Sequence, residues 1–164
     1  MTEISADLER RLAELWAGQD EHEPAGFRAR IDDAVAGLPA DHPVALFERA
    51  CANDSTGRPD HAAPLYRAAL DAGLIGIGRR RAVIQMASSL RNLGRAEESV
   101  ALLTAERDRG SDELDDAVAA FLALALAATG RAREATGLAL AALAPHLPRY
   151  NRSLAAYAAE LQAP

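Results

Sequence analysis

A guanidinium beside a carboxamide, Arg91-Asn92, is the pair in this sequence best suited to binding chemistry. The fork of one and the amide of the other can grip a carboxylate or a peptide backbone. Gln85 and Ser88 fall on the helical face of Asn92, at spacings of three and four residues, and extend that polar surface. A competing account pairs Arg91 with Asp54 and leaves Asn92 to cap a helix ahead of Gly94. The run Arg79-Arg80-Arg81 could attract phosphate or an acidic partner, but three charges make a short run and a solvated face at the start of a helix is the expectation. Arg149 and Arg152 bracket Tyr150-Asn151 and could add a basic rim, although capping and packing account for them equally well.

Catalytic and metal chemistry find less support. His22, His42, His61 and His146 have no close pair, whereas a zinc site draws several N or S ligands at recurring spacing. Asp20-Glu21-His22-Glu23 is dense in donors but lacks the ordered loop of a calcium site. Cys51 and His61 come without an oxyanion or orienting motif, so Cys51 reads as a small apolar helix residue. Gly73, Gly76 and Gly78 superficially suggest a nucleotide loop, yet they follow a helix and miss the dinucleotide spacing, so they read as a turn between helices. The expectation is a non-enzymatic protein with no cofactor and no metal.

The elements that must position these residues are helical. The 164 residues contain 39 Ala and 22 Leu, strong helix formers, while β-branched and aromatic residues are scarce. One compact unit or a short repeat array is expected at this length. The longest apolar run, Ala117 to Ala128, falls well short of the roughly 20 residues that span a bilayer and reads as a buried helix. A single Cys excludes an internal disulfide and favours a reducing compartment, and the start of the chain lacks the basic and apolar segments of a secretory signal, so a cytoplasmic protein is expected. All 18 basic residues are Arg, which with the alanine excess suggests coding bias in a GC-rich bacterial genome. Residues 1–60 hold 13 acids against 6 Arg, and residues 61–164 hold 11 against 12. That acidic balance argues against nucleic acid as a partner, because phosphate affinity rests on a clustered cationic face.

One phrase occurs three times: a helical stretch, Gly-Arg, and a second helical stretch. The copies are centred on Gly57-Arg58, Gly94-Arg95 and Gly130-Arg131, with glycines 37 and 36 residues apart. That period fits two helices of about a dozen residues and two turns. Each Gly falls where the first helix must end in a left-handed residue. In the first copy Ala62, Tyr66 and Ala69 form a small, aromatic, small stripe on the second helix, with Ala50 as the small residue of the first. The second copy has Ser99, Leu103 and Glu106 in those places, and the third has Ala135, Ala139 and Ala142.

This pattern resembles the tetratricopeptide repeat. Phe27, Ile31, Ala34 and Pro39 share the same register one period upstream, and Leu8, Leu12, Leu15 and Trp16 make one face of a preceding helix over Ser5 to Gly18. The phrases Arg79 to Arg81, Gln85 to Arg95 and Pro145 to Tyr150 look like the bacterial group 5 tetratricopeptide family, over about residues 44–160. The resemblance implies an all-α, right-handed α-solenoid of helix hairpins used for protein interaction. The division expected is an atypical helix pair at 1–40, repeats at 43–74, 80–110 and 112–147, and a capping helix at 148–162. First helices of such repeats line a concave groove, so the resemblance places Phe47, Cys51, Asp54 and Ser55 there, followed by Arg81, Ile84, Ser88, Arg91 and Asn92, and then Ala120, Leu124, Ala127 and Ala128. Binding of a peptide or protein segment in that groove is the expected function. Its rival is a homodimer or scaffold built on an apolar face of the third repeat or of the capping helix, and no membrane or nucleic-acid partner is expected.

Overall fold

The computed structural model describes residues 4–163. Its contacts divide the chain into two compact units, Met1–Ser89 and Leu90–Pro164. The first unit contains α1 (Ala6–Ala17), α2 (Pro24–Val35), α3 (Pro43–Ser55), α4 (Pro59–Asp71) and most of α5 (Gly76–Asn92). The second contains α6 (Ala96–Arg109), α7 (Asp115–Ala128), α8 (Ala132–Leu143) and α9 (Asn151–Gln162). Among the described residues there is no strand, and no helix is long and apolar enough to cross a membrane.

Local chemistry sets the helix ends. Ser5 Oγ accepts from the Leu8 amide at 3.3 Å and starts α1, while Pro24, Pro43 and Pro59 occupy the first turns of α2, α3 and α4, where a missing N–H costs nothing. The Gly-Arg phrases close the first helix of each copy. Gly57, Gly94 and Gly130 have φ of 77°, 78° and 83°. The following Arg amides reach back to Asn53, Leu90 and Leu126 carbonyls at 2.9 Å. This paired closure of a helix end needs the left-handed residue that Gly supplies without a Cβ clash.

In the first unit, Leu12, Phe27, Ile31, Ala34, Val35, Ala45 and Ala52 form a core against which Leu8, Leu15 and Trp16 pack. Trp16 meets Phe27 edge-on, with ring centroids 5.0 Å apart. The stripe Ala62, Tyr66, Ala69 of α4 is completely buried, and Ser99, Leu103 and Glu106 of α6 are buried as well, so both second helices keep the expected register.

Elsewhere the structure corrects the sequence reading. α5 begins at Gly76, so Arg79 to Arg81 lie near the start of the helix as expected, but Arg80 is buried instead of solvated. α7 is not buried all round, because Ala120, Leu124, Ala127 and Ala128 are exposed while Val118, Leu122, Ala125 and Leu126 are buried. Pro39 lies beyond the end of α2 and is exposed. In α8, Ala139 is exposed, and the close approach is made by Gly137 instead. A Cβ at Gly137 would stand 2.8 Å from the Ala158 carbonyl oxygen and 2.9 Å from Leu161 Cβ, both on α9. Arg133 of α8 completes the docking by donating to the carbonyls of Glu160 at 2.9 Å and Leu161 at 3.3 Å.

Gly137→Val therefore forces α8 and α9 apart. We expect a loss of about 1–3 kcal/mol, typical of overpacking. Hydrogen exchange should show α9 losing protection while α1 to α4 keep theirs, and equal protection of α9 in both proteins would refute the close-approach account.

Candidate polar surface on helix α5

In the first unit α3 and α5 are joined by three side-chain links. Cys51 Sγ donates to Gln85 Oε1 at 3.3 Å, Ser89 Oγ donates to Asp54 Oδ1 at 2.9 Å, and the Arg81 guanidinium lies 5.2 Å from the centroid of the Phe47 ring. Tyr66 of α4 adds a donor to Asp54 Oδ2 at 3.4 Å, and its ring leans on Phe47 with centroids 6.1 Å apart. On the other flank of α3, Trp16 Nε1 donates to Glu48 Oε2 at 2.6 Å.

These links leave four titratable groups in a poorly hydrated setting. Burial raises the Glu48 carboxyl above its ordinary value, although the Trp16 bond and the Arg81 charge oppose the shift. Burial likewise raises Asp54 against the bonds from Ser89 and Tyr66. The Cys51 thiol is pushed up to about 12, first by burial and then by the Glu48 charge. Tyr66 is also raised, by burial and then by Cys51 and Asp54. Such a thiol is not a nucleophile at neutral pH. Among the described residues no group of three or more His, Cys, Asp or Glu is arranged to hold a metal ion.

The groove candidates separate according to what their atoms already do. Phe47, Cys51 and Ile84 are buried. Asp54 is half-buried, with one oxygen bonded to Ser89 and the other to Tyr66. Ser55 is exposed, its hydroxyl donating to the Ala52 carbonyl at 3.4 Å. Arg91 Nη2 donates to Asn92 Oδ1 at 3.1 Å, in place of the Asp54 pairing considered from sequence. The end of α5 is closed by backbone bonds from Gly94 to Arg91 and from Arg95 to Leu90, not by the Asn92 side chain. Arg149 and Arg152 are exposed in the second unit, the latter on α9.

One line of side chains remains open. Arg81, Gln85, Ser88 and Asn92 recur at i, i+4, i+7 and i+11 and therefore share one narrow face of α5. Arg81 and Asn92 are exposed, and Gln85 and Ser88 half-buried, whereas Ala82, Val83, Ile84, Met86, Ala87, Ser89 and Leu90 are all buried. Gln85 and Asn92 each use their amide oxygen internally, and among the described residues their NH2 groups have no partner. Ser88 has no hydrogen-bond partner among the described residues. The links from Asp54 to Ser89, from Cys51 to Gln85 and from Phe47 to Arg81 were missed in the sequence, although each joins residues 34 or 35 apart. The repeat period itself was the signal that could have found them.

Residues 43–161 match a sequence family described as Tetratrico peptide repeat. No curated protein and no solved structure matches the chain.

Two consequences of the half-buried carboxylates Glu48 and Asp54 are measurable. A carboxyl raised in the folded state stabilises the fold when protonated, so its contribution is complete below the ordinary carboxylate range and is lost as pH rises through the raised value. Glu48→Gln keeps an acceptor for Trp16 and should melt higher than the parent at about pH 7, with the difference vanishing near ~pH 3. A melting difference independent of pH would refute this. Asp54→Ala removes the acceptor of two buried hydroxyls and should cost about 1–3 kcal/mol in denaturant unfolding; a neutral outcome would mean those hydroxyls find other partners.

Proposed function

Taking as premise that the chain belongs to the tetratricopeptide repeat family, a family of protein–protein interaction modules, we propose that it binds an extended peptide segment of a partner protein along α5. The observation that carries this reading is the line of Arg81, Gln85, Ser88 and Asn92 along one face of an otherwise largely buried helix, where the Gln85 and Asn92 amide nitrogens and the Ser88 hydroxyl have no hydrogen-bond partner among the described residues. Backbone carbonyls and a carboxylate are the complementary acceptors. Eleven residues of helix rise about 16 Å, a length spanned by about five residues of extended chain at ~3.3 Å each. Asp54 acts in this reading as a brace, since Ser89 and Tyr66 occupy its oxygens, while exposed Ser55 lies on the neighbouring helix as a rim contact. Arg91 orients the Asn92 amide through its bond to Oδ1. Arg149 and Arg152, exposed in the second unit, are further candidate contacts for that partner.

A second reading is self-association. It is favoured by the exposed apolar positions of the second unit, where Leu124 is accompanied by Ala120, Ala127 and Ala128 on α7 and Tyr157 is exposed on α9.

Selection from a displayed peptide library tests the first reading. Peptides enriched on the parent protein should bind Gln85→Ala and Ser88→Ala about tenfold more weakly each, the scale of one hydrogen bond. Titration by fluorescence anisotropy reads the change. Unchanged affinity in both variants, with the helical signal intact, would remove α5 as the binding element.

A further inference from the structure

Both amides on the open face of α5 have their oxygens tied to groups that donate. Arg91 Nη2 donates to Asn92 Oδ1 at 3.1 Å, and a guanidinium carries donors only, so the Asn92 oxygen is the atom that must face it. Cys51 Sγ donates to Gln85 Oε1 at 3.3 Å. Burial keeps that thiol protonated through the neutral range, so its hydrogen is always there to give. The two NH2 groups are thereby left as the open ends of both amides, and among the described residues neither has a partner. Arg81, at the head of the line, is also a donor with no acceptor capacity. Neighbouring carboxylate oxygens are already engaged, those of Asp54 by Ser89 and Tyr66, and Oε2 of Glu48 by Trp16. The line is therefore rich in donors, and only the Ser88 hydroxyl on it can also accept.

A surface of this polarity pairs with peptide carbonyls and leaves peptide N–H groups unanswered. Each N–H withdrawn from water without a partner costs about 1–3 kcal/mol. Proline offers a carbonyl and has no N–H. We propose that the segment read by α5 is proline-rich and lies along the helix as a polyproline II strand, with Cys51 as the positioning residue that holds the Gln85 amide donor-outward. The spacing agrees with this ligand. Gln85 and Asn92 are seven residues apart, about 10.5 Å along the axis, close to the ~9.3 Å advance of one three-residue polyproline turn. Carbonyls three residues apart share one edge of such a strand and meet both amides. That strand makes no internal hydrogen bonds, so its carbonyls are free to accept. The proposal rests on the peptide-binding reading of α5 and adds the class of peptide.

Fluorescence anisotropy on the full chain tests it with two labelled probes, decaproline and a glycine-serine decapeptide. Decaproline should bind the parent about tenfold more tightly, the scale of one unpaired N–H avoided. Gln85→Ala and Asn92→Ala should each weaken decaproline about fivefold, the scale of one hydrogen bond. In Cys51→Ala the Gln85 amide is free to turn, so the preference between the two probes should shrink, and Cys51→Ser, which keeps a donor, should restore it. Circular dichroism verifies that all variants are equally helical. Equal affinity of the parent for both probes overturns the proposal. An advantage owed only to the stiffness of decaproline would survive Cys51→Ala unchanged, and that outcome overturns it as well. If decaproline fails while library-selected peptides still depend on Gln85 and Ser88, the proline preference falls and the peptide-binding reading stands. Loss of both dependences overturns the two together.

Discussion

Close approach of helices at small side chains is the constraint from which the rest of this protein follows. Where α4 crosses its neighbours, Ala62 and Ala69 flank Tyr66, and none of the three retains solvent exposure. Where α8 meets α9, even an alanine is too large, and Gly137 lets the backbone of one helix touch the other. Such contacts give each helix little apolar surface of its own. Stability then comes from burying that surface against the next element, as in other repeat proteins. The chain's wealth of alanine, which could pass for compositional bias, is in this respect a packing requirement.

The helix count, the reversals at Gly57, Gly94 and Gly130, and the stripe of α4 were all legible in the sequence because each depends on local spacing. Upstream of the first repeat, Phe27, Ile31 and Ala34 of α2 are buried on the register they share with the α4 stripe. What could not be read was the response of individual side chains to tertiary packing. Arg80 belongs to a run that looks solvated, yet it is buried. Ala139 holds a stripe position in the third copy, but α8 turns Gly137 toward α9 and leaves Ala139 exposed. The polar candidates were named as residue types, whereas their availability depends on bonds between helices. Asp54 and Gln85 share a surface in the sequence pattern, but the two oxygens of Asp54 are occupied while the Gln85 amide nitrogen is open.

Polar groups at the join of α3 and α5 add direction to an otherwise unspecific apolar contact. An alanine-lined crossing tolerates sliding, because one small residue resembles the next. A carboxylate that must meet Ser89 and Tyr66 together, and an amide that must meet a thiol, permit one register only. The same fixed register holds Arg81, Gln85, Ser88 and Asn92 in line. Precision at the surface is thus inherited from hydrogen bonds beneath it.

Cys51 gives the first unit an internal clock. It is the one thiol in the chain, it is 4% exposed, and its proton is held both by burial and by the bond to Gln85. An alkylating reagent can reach the sulfur only while α3 and α5 are separated. The labelling rate therefore follows the frequency of that separation rather than the chemistry of the thiol. Without any engineered probe, the opening of this helix pair can be timed in a native solution, with or without a bound peptide.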